Sequence, residues 1–229
     1  MSVATIIAAS GSGLRLGGDI PKQFQLLGGR PILAHTLDAF TQADIVQDIF
    51  VAVPAGFAEH CRKMFSGHGY SKVREIIPGG ASRAASVHAA LKKLSTDTTI
   101  VLIHDGVRPF VSSRLVNAVV ESARINGAAT AVTALTDTLK EVDDSGRITA
   151  TPDRRRFWRA QTPQGFTYEL IMRAYAQGEA DDILGHVTDD SALAERLGIP
   201  VYMVEGDAGN IKITTQEDLA LGEILLRSK

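Results

Sequence analysis

Arg15 and Lys22 stand within seven residues of each other, behind a run of small residues, Ala9-Ser10-Gly11-Ser12-Gly13. Glycines at 11 and 13 can adopt backbone angles closed to other residues and let a ligand come close to the main chain. Successive backbone N–H groups in such a turn form an anion-binding concavity. A loop that cradles phosphates and adds two positive side chains suits a nucleoside triphosphate. The plainer alternative is an ordinary glycine loop carrying two solvated cations.

Known phosphate-loop patterns separate these possibilities. The P-loop requires G-x-x-x-x-G-K-[ST], but Gly13 and Gly18 are followed by Asp19. The dinucleotide fingerprint needs a glycine at 16 and an acid closing the second strand; Leu16 and Val53-Pro54-Ala55 occupy those places. What remains is G-x-G-x-x-x-G with Arg15 inside it and Pro21-Lys22 behind. In this form the stretch resembles the signature loop of nucleotidyltransferases that join a sugar or polyol phosphate to a nucleotide.

The elements that must position this loop follow from apolar spacing. Val3 to Ala9 reads as a buried strand, Pro31 to Phe40 as a helix with Pro31 at its first position, and Ile45 to Val53 as a second strand. Phe57 to Phe65 reads as a short helix and Val73 to Ile77 as a strand ending in Pro78-Gly79-Gly80. Ser82 to Leu94 fits a helix, and Thr99 to Ile103 a strand ending at His104-Asp105-Gly106. Ser112 or Ser113 can cap a helix with the buried stripe Leu115, Val116, Val119, Val120 and Ala123. Ala128 to Leu135 is a further strand. This alternation predicts an α/β fold with a mostly parallel sheet and helices on both faces. Ligands in such folds bind beyond the carboxyl ends of the strands, where the glycine loop, Gly79-Gly80 and His104-Asp105 converge.

The pattern breaks at Thr136. Residues 137–151 alternate and turn at Asp144-Ser145-Gly146, as a polar β-hairpin does. Helices are expected at Tyr168 to Ala176 and Asp189 to Leu197, where Thr188 could serve as a cap. A strand follows at Val201 to Glu205, then a helix announced by the capping box Thr214-x-x-Glu217.

Composition sets the bounds. At 229 residues and 45% apolar, the chain suits one α/β domain with a substantial core. A net charge of −2 argues against a general nucleic-acid binder. The absence of an 18-residue apolar run argues against a membrane span. A single cysteine, Cys61, excludes an internal disulfide. The sum is the expectation of a soluble cytoplasmic protein.

Further motifs join the loop in order: Gly79-Gly80-x-x-Arg83-x-x-Ser86, His104-Asp105-x-x-Arg108-Pro-Phe110, Asp137-Thr138-Leu-Lys140, Asp153-Arg154, Gln161-Thr162-Pro163-Gln164, Thr188-Asp189-Asp190 and Asn210-Ile-Lys212-Ile-Thr214. Together these resemble the 2-C-methyl-D-erythritol 4-phosphate cytidylyltransferase family of non-mevalonate isoprenoid synthesis, over nearly the whole chain. The resemblance implies a Rossmann-like nucleotidyltransferase fold in one domain, residues 1–229, with a β-hairpin arm over about 136–157. It implies attack by a sugar-alcohol phosphate on the α-phosphorus of CTP, with release of pyrophosphate and a Mg²⁺ ion bridging the triphosphate oxygens.

The same resemblance assigns residues. Arg15 and Lys22 match the cations that stabilise the transition state. Arg154 and Lys212 match those that hold the acceptor phosphate. Ala9, Ser10, Gly11, Gly13, Gly80, Arg83, Ser86, Asp105 and Gly106 fall at nucleotide-side positions, Asp105 also on the metal side. Thr138, Arg108, Thr162 and Thr188 fall at acceptor-side positions, and the arm reaches across a homodimer.

Two departures stand out. Ala81 replaces a common acid, and Gly106-Val107 replaces a common Ala-Ala. A dipeptide like the second occurs in the sister family that activates D-ribitol 5-phosphate, which makes that acceptor the alternative. From another class, a nucleotide-sensing binding module could keep Gly11, Gly13 and Gly80 but has no need of Arg154 and Lys212.

Overall fold

The computed structural model describes residues 1–11, 20–65 and 69–228. Strand β1 (Val3–Ala8) is buried nearly throughout, as a run with no exposed face must be. Two short strands, β2 (Leu26–Leu27) and β3 (Arg30–Pro31), lead into helix α1 (Ile32–Gln42). Pro31 is the N-cap of α1, at φ −54° and ψ 139°, and not its first helical residue. Then come β4 (Asp48–Val53), α2 (Ala58–Phe65), β5 (Val73–Pro78), α3 (Arg83–Leu91) and β6 (Ile100–Asp105). The Ser82 hydroxyl caps α3 by accepting from the Ala85 N–H at 3.0 Å.

Ser112, one of the two expected caps, caps α4 (Ser113–Asn126). The buried face of α4 is the stripe Leu115, Val116, Val119, Val120 and Ala123, as its spacing requires. Strand β7 (Ala128–Ala134) leads to the hairpin β8 (Glu141–Val142) and β9 (Ile148–Ala150). The hairpin is exposed along both strands. Asp143 organises its turn, accepting from the Ser145 and Arg147 N–H groups at 3.0 and 3.1 Å.

Strand β10 (Trp158–Thr167) follows, then α5 (Tyr168–Ala180), α6 (Ser191–Arg196), β11 (Tyr202–Glu205) and α7 (Gln216–Arg227). The capping box of α7 lies one residue beyond the expected pair. Thr215 is the N-cap and Asp218 its reciprocal acid, because the Asp218 carboxylate also accepts from the Thr214 N–H and hydroxyl at 2.8 and 2.7 Å. Thr188 does not cap α6. Its N-terminal N–H groups are met by Asp189, which accepts from Ala192 at 3.1 Å, and by the Gln164 amide oxygen, which accepts from Ser191 at 3.2 Å.

The seven-stranded sheet has the order β11-β7-β10-β6-β1-β4-β5. All of its pairs are parallel except those of β10, which runs antiparallel to both β6 and β7. Helices α1, α2 and α4 bury their apolar faces on one side of the sheet; α3, α5 and α6 do so on the other. A smaller cluster, built on Leu27, Ile32, Val107, Phe110 and Ile213, seats α7 beside the loop after β6. The chain winds outward from β1 through β4 to β5, then returns to β6 on the other flank of β1. The reversal between β1 and β6 is the topological switch point where α/β sheets bind ligands. Among the described residues no helix is long and apolar enough to cross a membrane.

Candidate active site

Two adjoining clefts open at that switch point. The larger, about 440 Å³, is lined by Ala8 to Gly11, Lys22, Gln23, Gly80 to Arg83, Asp105, Val107 and Lys212. The smaller, about 180 Å³, shares Arg83, Asp105 and Lys212 with it and adds Arg108, Gln161, Thr162, Thr188 and Asp189 among others.

Asp105 is the centre of the shared wall. It ends the fully buried strand β6, so its carboxylate must be paired or pay the full cost of leaving water. Its Oδ1 lies 3.1 Å from Arg83 Nε, and its Oδ2 lies 2.8 Å from Lys212 Nζ and 3.5 Å from Arg108 Nε. Burial by itself raises a carboxyl pKa; here Arg83, Lys212 and Arg108 outweigh it and hold Asp105 far below the ordinary carboxylate range. The Arg108 side chain is largely buried and spends Nη1 on the Asn210 carbonyl at 2.9 Å.

His104, just before it, is buried between two partners. Its Nε2 faces the Arg108 carbonyl at 3.0 Å and its Nδ1 the Thr162 hydroxyl at 3.0 Å. A carbonyl only accepts, so Nε2 carries the proton and Thr162 donates to Nδ1. Thr162 Oγ1 in turn accepts from the Asp105 N–H at 3.0 Å. Thr162 therefore holds Asp105 from behind. Burial, chiefly, lowers the His104 pKa to about 4. The folded value lies below the unfolded one, near 6.5, so the unfolded chain binds a proton first as pH falls. Stability from this group is full above pH 6.5 and lost down to pH 4. The expected loss is about 3 kcal/mol over that window, read from urea unfolding at pH 7 and pH 4. His104→Gln is expected to remove this part of the slope.

The floor of the larger cleft is main chain, set by two side chains. The turn Lys22–Phe24 buries Gln23 and Phe24, and Phe24 stacks on Phe57 with centroids 4.9 Å apart. The Gln23 amide donates to the carbonyls of Ala9 and Gly11 at 2.5 and 3.2 Å, leaving Lys22 on the cleft wall. Ser86 Oγ accepts from the Gly80 N–H at 3.0 Å and from the Ser10 hydroxyl at 2.6 Å, and donates to the Ser82 carbonyl at 2.8 Å. With its one proton and two lone pairs used, Ser86 shapes this corner instead of offering a free donor. A Cβ on Gly80 would lie 2.8 Å from Ala85 Cβ, and one on Gly79 2.4 Å from Ser10 Cβ. Gly106 has the same origin: a Cβ there would lie 2.7 Å from Ala9 Cβ, where the ends of β1 and β6 meet.

The structure thus brings together Ala9, Ser10, Gly11, Lys22, Gly80, Arg83, Asp105 and Lys212 around the larger cleft, and Arg108, Thr162 and Thr188 around the smaller. Gly13 and Arg15 lie outside the described residues. Thr138 and Arg154 are exposed on the arm and line neither cleft; an Arg154 N–H donates to the Thr136 carbonyl. Arg83 is not a solvated helix arginine: it is mostly buried between Asp105 and Asp190. Arg155, by contrast, pairs with Asp153 in solvent. Trp158 is 39% exposed and so does not belong to the core. Sequence reasoning gave no role to Gln23, Gln164, Tyr175, Asp190 and Asn210, all buried; Gln164, Asp190 and Asn210 carried a signal only as members of the motifs.

Comparison with known proteins agrees with this fold. The model of the family described as IspD, 2-C-methyl-D-erythritol 4-phosphate cytidylyltransferase, matches residues 3–228. A protein of that name from Geobacter metallireducens is 45% identical over 233 residues, covering 100% of this chain and 99% of its own. The 4-diphosphocytidyl-2C-methyl-D-erythritol synthase from Anaerococcus prevotii superposes with a TM-score of 0.86 at 33% identity, covering 99% of this chain and 98% of that one. The enzyme from Thermus thermophilus gives 0.81 at 36%, with coverages of 99% and 100%. On these matches, the chain belongs to the 2-C-methyl-D-erythritol 4-phosphate cytidylyltransferase family.

Proposed function

We infer that the two clefts are the nucleotide and acceptor halves of one active site. The chain transfers CMP from CTP to 2-C-methyl-D-erythritol 4-phosphate, giving 4-diphosphocytidyl-2-C-methyl-D-erythritol and pyrophosphate. The observation that carries this is the shared wall: Arg83, Asp105 and Lys212 face both clefts at once. A binding module for a nucleotide alone has no use for the second cleft.

The chemistry suits the residues. The second pKa of a phosphate monoester is about 6, so the acceptor is already mostly ionised at neutral pH and needs no general base. Its oxygen attacks the α-phosphorus, and the bond to the bridging oxygen breaks as pyrophosphate leaves. The protein's task is to align two polyanions and stabilise the charge that builds between them. Lys22, with Arg15, serves the triphosphate; Lys212 lies between the clefts and serves the acceptor phosphate. Asp105 keeps Lys212 in place at 2.8 Å. The main chain of Ala9 to Gly11 and of Gly80 meets the nucleotide, and small residues there exclude a purine.

A Mg²⁺ ion fits the donor set. Among the described residues Asp105 is the one carboxylate on the larger cleft, and Mg²⁺ is commonly held by one or two carboxylates plus substrate phosphates. Asp105 would hold it, and it would neutralise triphosphate oxygens. Among the described residues no group of three or more His, Cys, Asp or Glu forms a metal cage.

The arm completes the proposal. Val142, Ile148, Phe157 and Trp158 are 57%, 57%, 45% and 39% exposed on and beside it, a surface that a second copy would cover. Across such a homodimer, Thr138 and Arg154 reach the partner's acceptor cleft, so residues 1–229 form one catalytic unit with the arm, 136–157, as its exchange element. Arg154→Ala is expected to raise KM for the acceptor about 10- to 100-fold, the worth of a hydrogen bond to a charged group, with KM for CTP unchanged. Pyrophosphate release with CTP and Mg²⁺ tests the whole reading. Methylerythritol phosphate should support it and ribitol 5-phosphate should not. Release with ribitol 5-phosphate alone would move the chain to the sister activity.

A further inference from the structure

We propose that Tyr175 and Asp190 are positioning residues for the transfer: through Asp190, the Tyr175 hydroxyl keeps Arg83 from closing on Asp105, which leaves Asp105 Oδ2 to Lys212 and Arg108. This rests on the two-cleft reading above. Arg83 divides its guanidinium between two carboxylates, giving Nε to Asp105 Oδ1 at 3.1 Å and Nη2 to Asp190 Oδ2 at 2.8 Å. Asp190 is wholly buried and held from two further sides. The Tyr175 hydroxyl donates to its Oδ1 at 2.5 Å, and its own N–H donates to the Gln164 amide oxygen at 2.8 Å. Tyr175 is itself fully buried on α5, its ring 5.5 Å from that of His88. Burial first, then the Asp190 charge, keep the phenol protonated and a donor.

An arginine beside a carboxylate prefers the two-point fork. If Arg83 forked Asp105, its second N–H would crowd Oδ2, which already meets Lys212 at 2.8 Å and Arg108 at 3.5 Å, and a third cation on that oxygen would weaken the Lys212 anchor. Asp190 prevents this by engaging Nη2. A carboxylate this deep is costly unless it is paired; Arg83 meets Oδ2 as its ion partner and the Tyr175 phenol gives Oδ1 its hydrogen bond. Tyr175 thus acts on Lys212 through three intermediaries, Asp190, Arg83 and Asp105, without touching either cleft.

The test is a double-mutant cycle. Tyr175→Phe keeps the ring and removes only the hydroxyl. It is expected to lower kcat/KM about tenfold, as loss of a hydrogen bond to a charged group does. In an Arg83→Lys background, where no fork can form, the same substitution is expected to change kcat/KM by less than about twofold. A tyrosine that merely supports the fold would cost the same factor in both backgrounds, and that result would overturn the proposal. So would no effect of Tyr175→Phe in the parent. A second measurement needs no turnover. The Lys212 ammonium resonance, identified by its loss in Lys212→Arg, should exchange with solvent about tenfold faster in Tyr175→Phe; unchanged exchange also overturns the link. If the unmutated protein releases no pyrophosphate, the two-cleft reading fails, while the exchange measurement still decides whether Tyr175 acts on Lys212.

Discussion

Lys22→Ala is expected to lower kcat about 10²- to 10³-fold, the cost of removing one preorganised charge-stabilising group. The melting temperature should stay within about two degrees of the parent, since exposed and half-exposed substitutions seldom exceed 0.5 kcal/mol. The turn that carries Lys22 is fixed by its neighbours: Gln23 clasps two loop carbonyls and Phe24 stacks on Phe57. Removing the ammonium leaves those contacts in place. KM for CTP should rise less than kcat falls, because a group that follows developing charge contributes most in the transition state. Steady-state pyrophosphate release with a parallel thermal melt separates the two effects. Turnover near that of the parent would remove Lys22 from the mechanism.

Asp105→Asn is the second large effect, and here stability carries it. The carboxylate balances Arg83, Arg108 and Lys212 within 3.5 Å. Its neutral isostere leaves three cations facing one another, which is expected to cost about 3–5 kcal/mol, the range found when one partner of a buried pair is removed. Activity falls as well, because Lys212 loses its anchor. The pH dependence identifies the cause. In the parent the folded carboxyl pKa lies far below the unfolded value near 3.9. The charge therefore stabilises fully above about pH 4, and the contribution is lost as pH falls below it. Urea unfolding of the parent should steepen its decline below pH 4, and the variant should lack that additional decline. This window lies under that of His104, so the two groups titrate apart.

Strands β1, β4, β5, β6 and β7 were legible because each is a short apolar run between helical spacings. The stripe on α4 was legible residue by residue. Strand β10 was not, although it lies between β6 and β7. Its inward residues Gln161, Thr162 and Gln164 are polar and spent on Asn210, Asp105 and the start of α6. Its pairing with β7 shifts register between Ala160 and Gln164, around a cis Thr162–Pro163 peptide. Polar residues within and a proline midway erase the alternation that marks a strand. The same cause hid the positioning residues of the site. Asp105, Lys22 and Lys212 declare themselves by charge. Arg83 gave no sign of its burial, because its partner Asp190 is distant in sequence. The arm was legible as a polar hairpin, but an exposed strand pair carries no mark of what it will cover.

The corner formed by Gly79, Gly80 and Ser86 has a bearing on how this protein can change. Neither glycine has room for a side chain against Ser10 or Ala85, and the Ser86 hydroxyl has no bond left to give. On the proposed reading, a base resting there meets shape and neither glycine's N–H, since those are spent on the Val53 carbonyl and the Ser86 hydroxyl. Drift by single substitutions therefore has little to act on in this corner. A new base preference would require α3 to move as a body, carrying Arg83 away from Asp105 in the same displacement. Substrate choice and catalytic competence are inherited together at this wall, and a lineage that alters the first must rebuild the second.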